Sequence, residues 1–228
     1  MAELRSRRRL RISTIELLGA LVLLMVFVPF LEEMRHGAVI EMLLLTFVFV
    51  SAVLAVGARP STLWIAGILT FLTMTARLLN HFLAPAFPPW LFPPLALCFL
   101  GFVIAHLVRS TLVAQQVDAQ VLCAAITAYL MLGLFWTMAY ILVGSLSPEA
   151  FAFSTGEESS HTMNRFNAFY FSFVTLSTVG YGDITPVSKA ARMLAVTEAM
   201  TGMLYVAVLI ARLVALYTSS APQPPNRG

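Results

Sequence analysis

Apolar residues are gathered along this chain into six long runs, which polar residues, glycine and proline separate. The runs lie at about 13–31, 39–58, 61–79, 89–108, 118–146 and 189–217. Each has about the length that crosses a bilayer as a helix, roughly 20 residues. We therefore expect an all-α membrane protein with six transmembrane helices.

The polar interval between the fifth and sixth runs is too long and too mixed for a plain turn. Residues 147–163 include proline, glycine and acidic residues, and predict an extracellular turret. Asn164 and Asn167 then offer caps for a short helix over residues 168–177. Because this helix is too short to span, we expect it to be re-entrant, with the backbone after it lining a water-filled path.

Composition agrees with this picture, since 59% of the residues are hydrophobic and 11% are charged. A domain of this size and composition would have too little polar surface to stay in solution. The cysteines lie in apolar stretches and the histidines are scattered, so we expect neither a disulfide nor a metal centre. No nucleophile and base stand at catalytic spacing, which argues against an enzyme. We expect a lipid bilayer around the protein and no nucleic-acid partner.

The charges predict how the chain is oriented and divided. Five arginines precede Ile12, which places the N-terminus in the cytoplasm, and six spans return the C-terminus to the same side. We expect a multi-pass protein of the plasma membrane. Its predicted parts are a basic N-terminus over 1–12, a four-helix unit over 13–110, a pore domain over 111–218 and a disordered cytoplasmic tail over 219–228.

The residues after the short helix read Thr178-Val179-Gly180-Tyr181-Gly182. This segment resembles the selectivity filter of potassium channels of the pore-loop superfamily. The glycines suit such a filter, because they tolerate the positive φ that turns successive carbonyls toward one axis. The resemblance, closest to compact bacterial six-helix channels, implies a homotetramer whose backbone carbonyls bind K⁺ as the transported ion. It implies no organic cofactor.

Two further contacts follow from the same resemblance. Tyr170 and Phe171 match the aromatic pair that forms a cuff around the filter, into which Tyr181 would pack. Asp183 would accept a hydrogen bond from Tyr170.

The sixth run contains one carboxylate, Glu198, which lies about 14 Å along the helix from Lys189. A carboxylate at this depth is costly and indicates a function or a partner. Some family members brace the filter with a glutamate on the pore helix, where this chain has Val174. One hypothesis is that Glu198 braces the filter or pore helix from behind. The alternative is that it reaches the water-filled cavity and attracts cations.

The same run contains a candidate hinge and a candidate pore wall. Gly202 lies where the family has its inner-helix hinge, although close helix packing is the competing explanation. Residues at three- and four-residue spacing share one face, which we expect to line the cavity, with a hydrophobic constriction near Ile210. They are Ala199, Met203, Val206, Ile210 and Leu213.

Voltage sensors carry arginine or lysine at every third position of one helix. The fourth run has no such series, because Arg109 stands alone at its inner end and Arg77 is a single charge in the third run. We therefore expect weak or no intrinsic voltage dependence.

These observations predict a channel that conducts K⁺ passively and selectively. A poorly selective cation channel and a non-conducting regulatory subunit are the alternatives. A proton-coupled transporter built around Glu198 would need inverted repeats or a relay of acidic groups, and the sequence shows neither.

Overall fold

The computed structural model describes residues 2–31, 34, 37–55, 60–82, 89–114, 118–154 and 162–219. The α-helices in these residues are α1 (Ala2–Leu31), α2 (Gly37–Ala55), α3 (Pro60–Phe82), α4 (Phe92–Val113), α5 (Ala119–Leu146), α6 (Arg165–Leu176) and α7 (Lys189–Ser219). Two short strands, β1 (Phe151–Phe153) and β2 (Ile184–Pro186), flank α6 and the segment after it. The predicted disordered tail beyond Ser219 lies outside the described residues.

Four helices in the described part of the chain are long and apolar enough to cross a membrane. Their apolar spans are Thr62–Asn80, Phe92–Val113, Ala119–Leu146 and Lys189–Ala215. The first two helices contain shorter apolar segments, Thr14–Phe30 and Val39–Ala55. α1 also extends back through the basic residues to Ala2, because arginine, leucine and glutamate are good helix formers.

Helix α5 is shared by two apolar clusters. On one side it packs with α1, α2 and α4, around Leu17, Phe99 and Met131. On the other it packs with α6, α7 and the strands, around Tyr140 and Phe171. Half of the α5 span is buried within the chain, against 11% of the α7 span. The pore half is thus built on α5, and most of the surface of α7 is left open.

The two strands pair antiparallel, which makes the fold mostly helical and not all-α. Phe153 pairs with Ile184 and Phe151 with Pro186. The predicted polar turret therefore contains a buried apolar pair, since Ala150 and Phe151 are 1% and 6% exposed. Residues 155–161 of the turret lie outside the described residues. Three-residue strands are too short to give a readable alternation in the sequence.

Candidate functional site

The candidate site is the filter segment, Thr178–Gly182, which directly follows α6. Its φ angle is positive at every second residue: 59° at Thr178, 57° at Gly180 and 81° at Gly182. In a regular strand successive peptide units point to opposite sides. Reversing the sign of φ at alternate residues turns the carbonyls toward one side instead. The positive φ predicted for the two glycines is confirmed.

Thr178 was not predicted to share this conformation. A β-branched residue in the left-handed region is an outlier that costs about 1–2 kcal/mol. Two hydrogen bonds hold the backbone there: the Thr178 amide donates to the Thr175 carbonyl, and the Val179 amide to the Val174 carbonyl, both at 2.9 Å. The C-terminal turn of α6 thus fixes the N-terminal end of the filter segment.

The short helix α6 begins where its caps indicate. The Asn164 side chain accepts a hydrogen bond from the Asn167 amide at 2.7 Å, which confirms the predicted cap. The helix starts at Arg165, one turn earlier than the predicted 168. Its C-terminal end meets the filter segment, and the helix dipole places partial negative charge at that end, which favours a cation.

The C-terminal end of the filter segment is tied to the end of β1. The Asp183 carbonyl accepts from the Ser154 amide at 2.8 Å, and from the Ser154 hydroxyl at 3.1 Å. The Asp183 side chain accepts a hydrogen bond from Tyr170 in α6, as predicted. Burial, together with this hydrogen bond and the charge of Asp183, raises the pKa of Tyr170 to about 12.

The second residue of the predicted aromatic pair lies in a different place. Phe171 is 6% exposed and packs edge-on against Tyr140, with ring centroids 4.8 Å apart, and against Phe151, at 5.6 Å. Tyr181 is 72% exposed. Within one chain Phe171 therefore joins α6 to α5 and β1, and most of the Tyr181 ring is left uncovered.

Glu198 is fully buried and holds three helices together. Its Oε1 lies 2.6 Å from the hydroxyl of Ser172 in α6, and its Oε2 accepts a hydrogen bond from Tyr140 in α5. The Ser172 hydroxyl also lies 2.8 Å from the carbonyl of Gly133. This is the arrangement that a brace behind the pore helix requires.

Gly202 makes a close approach that the sequence left open. A Cβ atom at this position would overlap the carbonyl oxygen of Leu176, the last residue of α6. Tyr129 of α5 donates to the same carbonyl at 3.4 Å. The absence of a side chain at Gly202 thus lets α7 touch the end of the pore helix, while its role as a hinge stays a prediction.

The predicted cavity-lining residues lie on the open side of α7. Met203, Val206 and Ile210 are 63%, 41% and 55% exposed in the single chain, and Ala199 and Leu213 are half-buried. This face is free to line a pore or to meet another chain.

Sequence reasoning located Glu198 but missed its partners, Ser172 and Tyr140, because hydroxyl groups on apolar helices have no distinctive spacing. It also missed Glu41 in α2, whose carboxylate pairs with Arg77. A signal was available, since a carboxylate inside an apolar run marks a paired or functional site.

A family model described as "Ion channel" matches residues 121–219. Protein LctB of Bacillus caldotenax is 30% identical over 125 residues, which cover 51% of this chain and 92% of that protein. Two-pore potassium channel 4 of Arabidopsis thaliana is 35% identical over 86 residues, which cover 37% of this chain and 29% of that protein. Voltage-gated potassium channel Kch of Escherichia coli (strain K12) is 56% identical over 36 residues, which cover 16% of this chain and 9% of that protein.

The chain spans less than a third of the length of the plant two-pore channels that it matches. No solved structure matches it. LctB is matched over nearly its whole length, and the matched family model covers α6, the filter segment and α7. That family is one of channels and not of enzymes. The chain therefore belongs to the pore-loop ion channel family.

Proposed function

We propose that the chain forms a potassium-selective channel, which conducts K⁺ passively through a ring of backbone carbonyls. The observation that carries this proposal is the alternation of positive φ at Thr178, Gly180 and Gly182, at the end of a 12-residue helix. A permeating ion must exchange its water for oxygen ligands, and such a segment offers them in a row. Relatives named as potassium channels support K⁺ as the ion.

The ring needs four copies, so the assembly is a homotetramer around a central axis. Two features of the single chain support this. The filter side chains Val179 and Tyr181 are 52% and 72% exposed, although both are large and apolar in character. The α7 span, the helix next in sequence, is the least buried of the four. Neighbouring copies would cover these surfaces.

Six spans place both termini in the cytoplasm of a plasma-membrane protein, with α1 and α2 as the two shorter crossings. Glu198 braces the pore helix from behind, through Ser172 and Tyr140. The exposed face of α7 with Met203, Val206 and Ile210 lines the inner cavity, and α7 bends at Gly202.

The test is cation flux into liposomes that contain the purified chain, with K⁺ against Na⁺ and with barium as a blocker. We expect a barium-sensitive K⁺ flux that Gly180→Ala abolishes. Within the single chain, space is open around Gly180, so the added methyl group meets no atom of its own chain and strains the backbone through the positive φ. Gly67→Ala is the matched control, because Gly67 also has open space and lacks the positive φ.

Each alternative gives a different result in this assay. Equal K⁺ and Na⁺ flux would indicate a poorly selective cation channel. No flux from protein of tetrameric mass, measured by native mass spectrometry, would indicate a non-conducting regulatory subunit.

A further inference from the structure

A cluster of three charged side chains joins the four-helix unit to the N-terminal end of the pore helix. Oε1 of Glu41 in α2 lies 3.2 Å from a guanidinium nitrogen of Arg77 in α3. Oε2 of the same carboxylate lies 2.9 Å from a guanidinium nitrogen of Arg165, the first residue of α6. One carboxylate therefore contacts both α3 and the pore helix, with a different oxygen for each.

This cluster lies on the wall of a cavity of about 750 Å³ between the four-helix unit and the pore half. Leu24, Val28 and Leu45 line it from the four-helix unit, and Leu134, Met138 and Phe169 line it from α5 and α6. α6 packs mainly on α5 and α7. Because open space separates the outer part of α6 from α2 and α3, the long charged side chains bridge the two parts.

The three members of the cluster differ in exposure. The side chains of Glu41 and Arg77 are 16% and 11% exposed, and that of Arg165 is 58% exposed. The Arg77 guanidinium also lies 5.5 Å from the centroid of the Phe92 ring, a cation–π contact. Charges inside apolar helices need partners, so Arg77 holds Glu41 in place. Arg165, with access to water, is the member that can attach and release.

A carboxylate at the N-terminal end of α6 is also favourable for the helix dipole. The same helix is held near its other end by Glu198, through Ser172. The pore helix is about 18 Å long and acts as a short rod between these two attachments. A movement at Arg165 is then passed to the end that carries Thr178.

We propose that Glu41 is a positioning residue for the filter, which ties the N-terminal end of the pore helix to the four-helix unit. A shift of α2 relative to the pore would thereby reach the filter without a voltage-sensing helix. This deepens the proposed function and rests on it, since the position of the pore helix matters for a conducting filter.

The test is hydrogen–deuterium exchange of the full-length protein in lipid nanodiscs, followed by mass spectrometry of peptides that cover α6 and the filter segment. We expect Glu41→Gln and Arg165→Gln each to raise exchange in both peptides about threefold, as for loss of one partly exposed ion pair. The double variant should match Glu41→Gln, because that change already removes the contact to Arg165 together with the contact to Arg77. Arg165→Lys, which keeps the charge, should restore wild-type exchange and shows that the chain still folds.

Glu16→Gln and Arg109→Gln are the matched controls, since both charges are exposed on helices of the same four-helix unit. Unchanged exchange in α6, additive effects in the double variant, or a change in α6 without one in the filter would each overturn the inference. The same samples are tested for K⁺ flux. A wild-type protein without K⁺ flux would overturn the proposed function, while the exchange result decides the role of Glu41 separately.

Discussion

The hydroxyl oxygen of Ser172 lies 2.6 Å from Oε1 of Glu198 and 2.8 Å from the carbonyl oxygen of Gly133. A hydroxyl group has one proton to donate, so it cannot donate to both oxygens. Both contacts become hydrogen bonds when Glu198 carries a proton on Oε1 and donates it to Ser172, which in turn donates to Gly133. Tyr140 donates to the other carboxyl oxygen. A neutral, fully bonded carboxyl group also fits the apolar surroundings.

Glutamine has nearly the same shape and can donate an N–H to Ser172 and accept from Tyr140, with one further N–H. We therefore expect Glu198→Gln to keep K⁺ flux and tetramer stability close to those of wild type. Glu198→Ala should lower the free energy of unfolding by about 2–4 kcal/mol, because it leaves Ser172 and Tyr140 without their shared partner. Thermal unfolding in detergent and K⁺ flux are the measurements. A glutamine variant that loses conductance as severely as the alanine variant would favour the alternative, in which the carboxylate charge attracts cations.

The contact between Gly202 and Leu176 predicts that alanine at position 202 lowers the stability of the protein. Helix propensity alone would predict that it raises the stability. In an unobstructed helix, glycine to alanine stabilises by roughly 1 kcal/mol. At Gly202 the new methyl group meets the backbone of the pore helix, so Gly202→Ala should destabilise by about 1–3 kcal/mol. Gly67→Ala, with open space around it, is the control in the same unfolding assay. A stabilised Gly202→Ala protein with altered gating would indicate that the residue serves only as a hinge.

The hydrogen bond from Tyr170 to Asp183 predicts a loss of stability at high pH. The pKa of Tyr170 rises from 10.0 to about 12, so the folded state keeps the phenol proton that the unfolded chain loses. The stability that this group contributes is then fully present below pH 10, and is lost between pH 10 and 12. Tyr170→Phe should remove that part of the fall, at a cost of about 1 kcal/mol near neutrality. The measurement is the free energy of unfolding as a function of pH, with Tyr181→Phe as the control. Identical curves for Tyr170→Phe and wild type would contradict the prediction.

The charges of the four-helix unit predict a shallow conductance–voltage curve. Arg109 is the only arginine or lysine in α4, and Arg77 is paired with Glu41, so moving the pair transfers little net charge. Each elementary charge that crosses the membrane contributes about 2.3 kcal/mol per 100 mV. Currents in planar bilayers, recorded over both signs of voltage, are the measurement. A curve so steep that several charges per subunit must cross the membrane would refute the prediction.

The sequence predicted those parts of the site that depend only on residues close together in the chain. Asn164 marked the start of the short helix, and Gly180 and Gly182 marked the positive φ angles, because capping and backbone freedom are local properties. The left-handed Thr178 was missed, since its side chain disfavours that conformation and the hydrogen bonds from α6 override the preference.

The contacts that the sequence did not predict join residues far apart in the chain. Glu41 meets Arg77 and Arg165 only after α2, α3 and α6 have packed, and a single charge in each apolar run gives no pairing pattern. The partners of Glu198 were missed for the same reason. The number of spans was read from apolar length, whereas the described α1 and α2 contain apolar segments shorter than a full crossing.

The pairing of β1 with β2 has a consequence for how the pore half folds. The strands stand on either side of the pore helix and the filter segment, so their pairing closes the intervening chain into a loop. Closing a loop costs chain entropy once, and everything inside it then has fewer conformations to lose. The ordering of Thr178–Gly182 is thereby coupled to the pairing of two strands that lie outside the filter segment. A substitution in either strand would slow the folding of the filter without touching any residue within it.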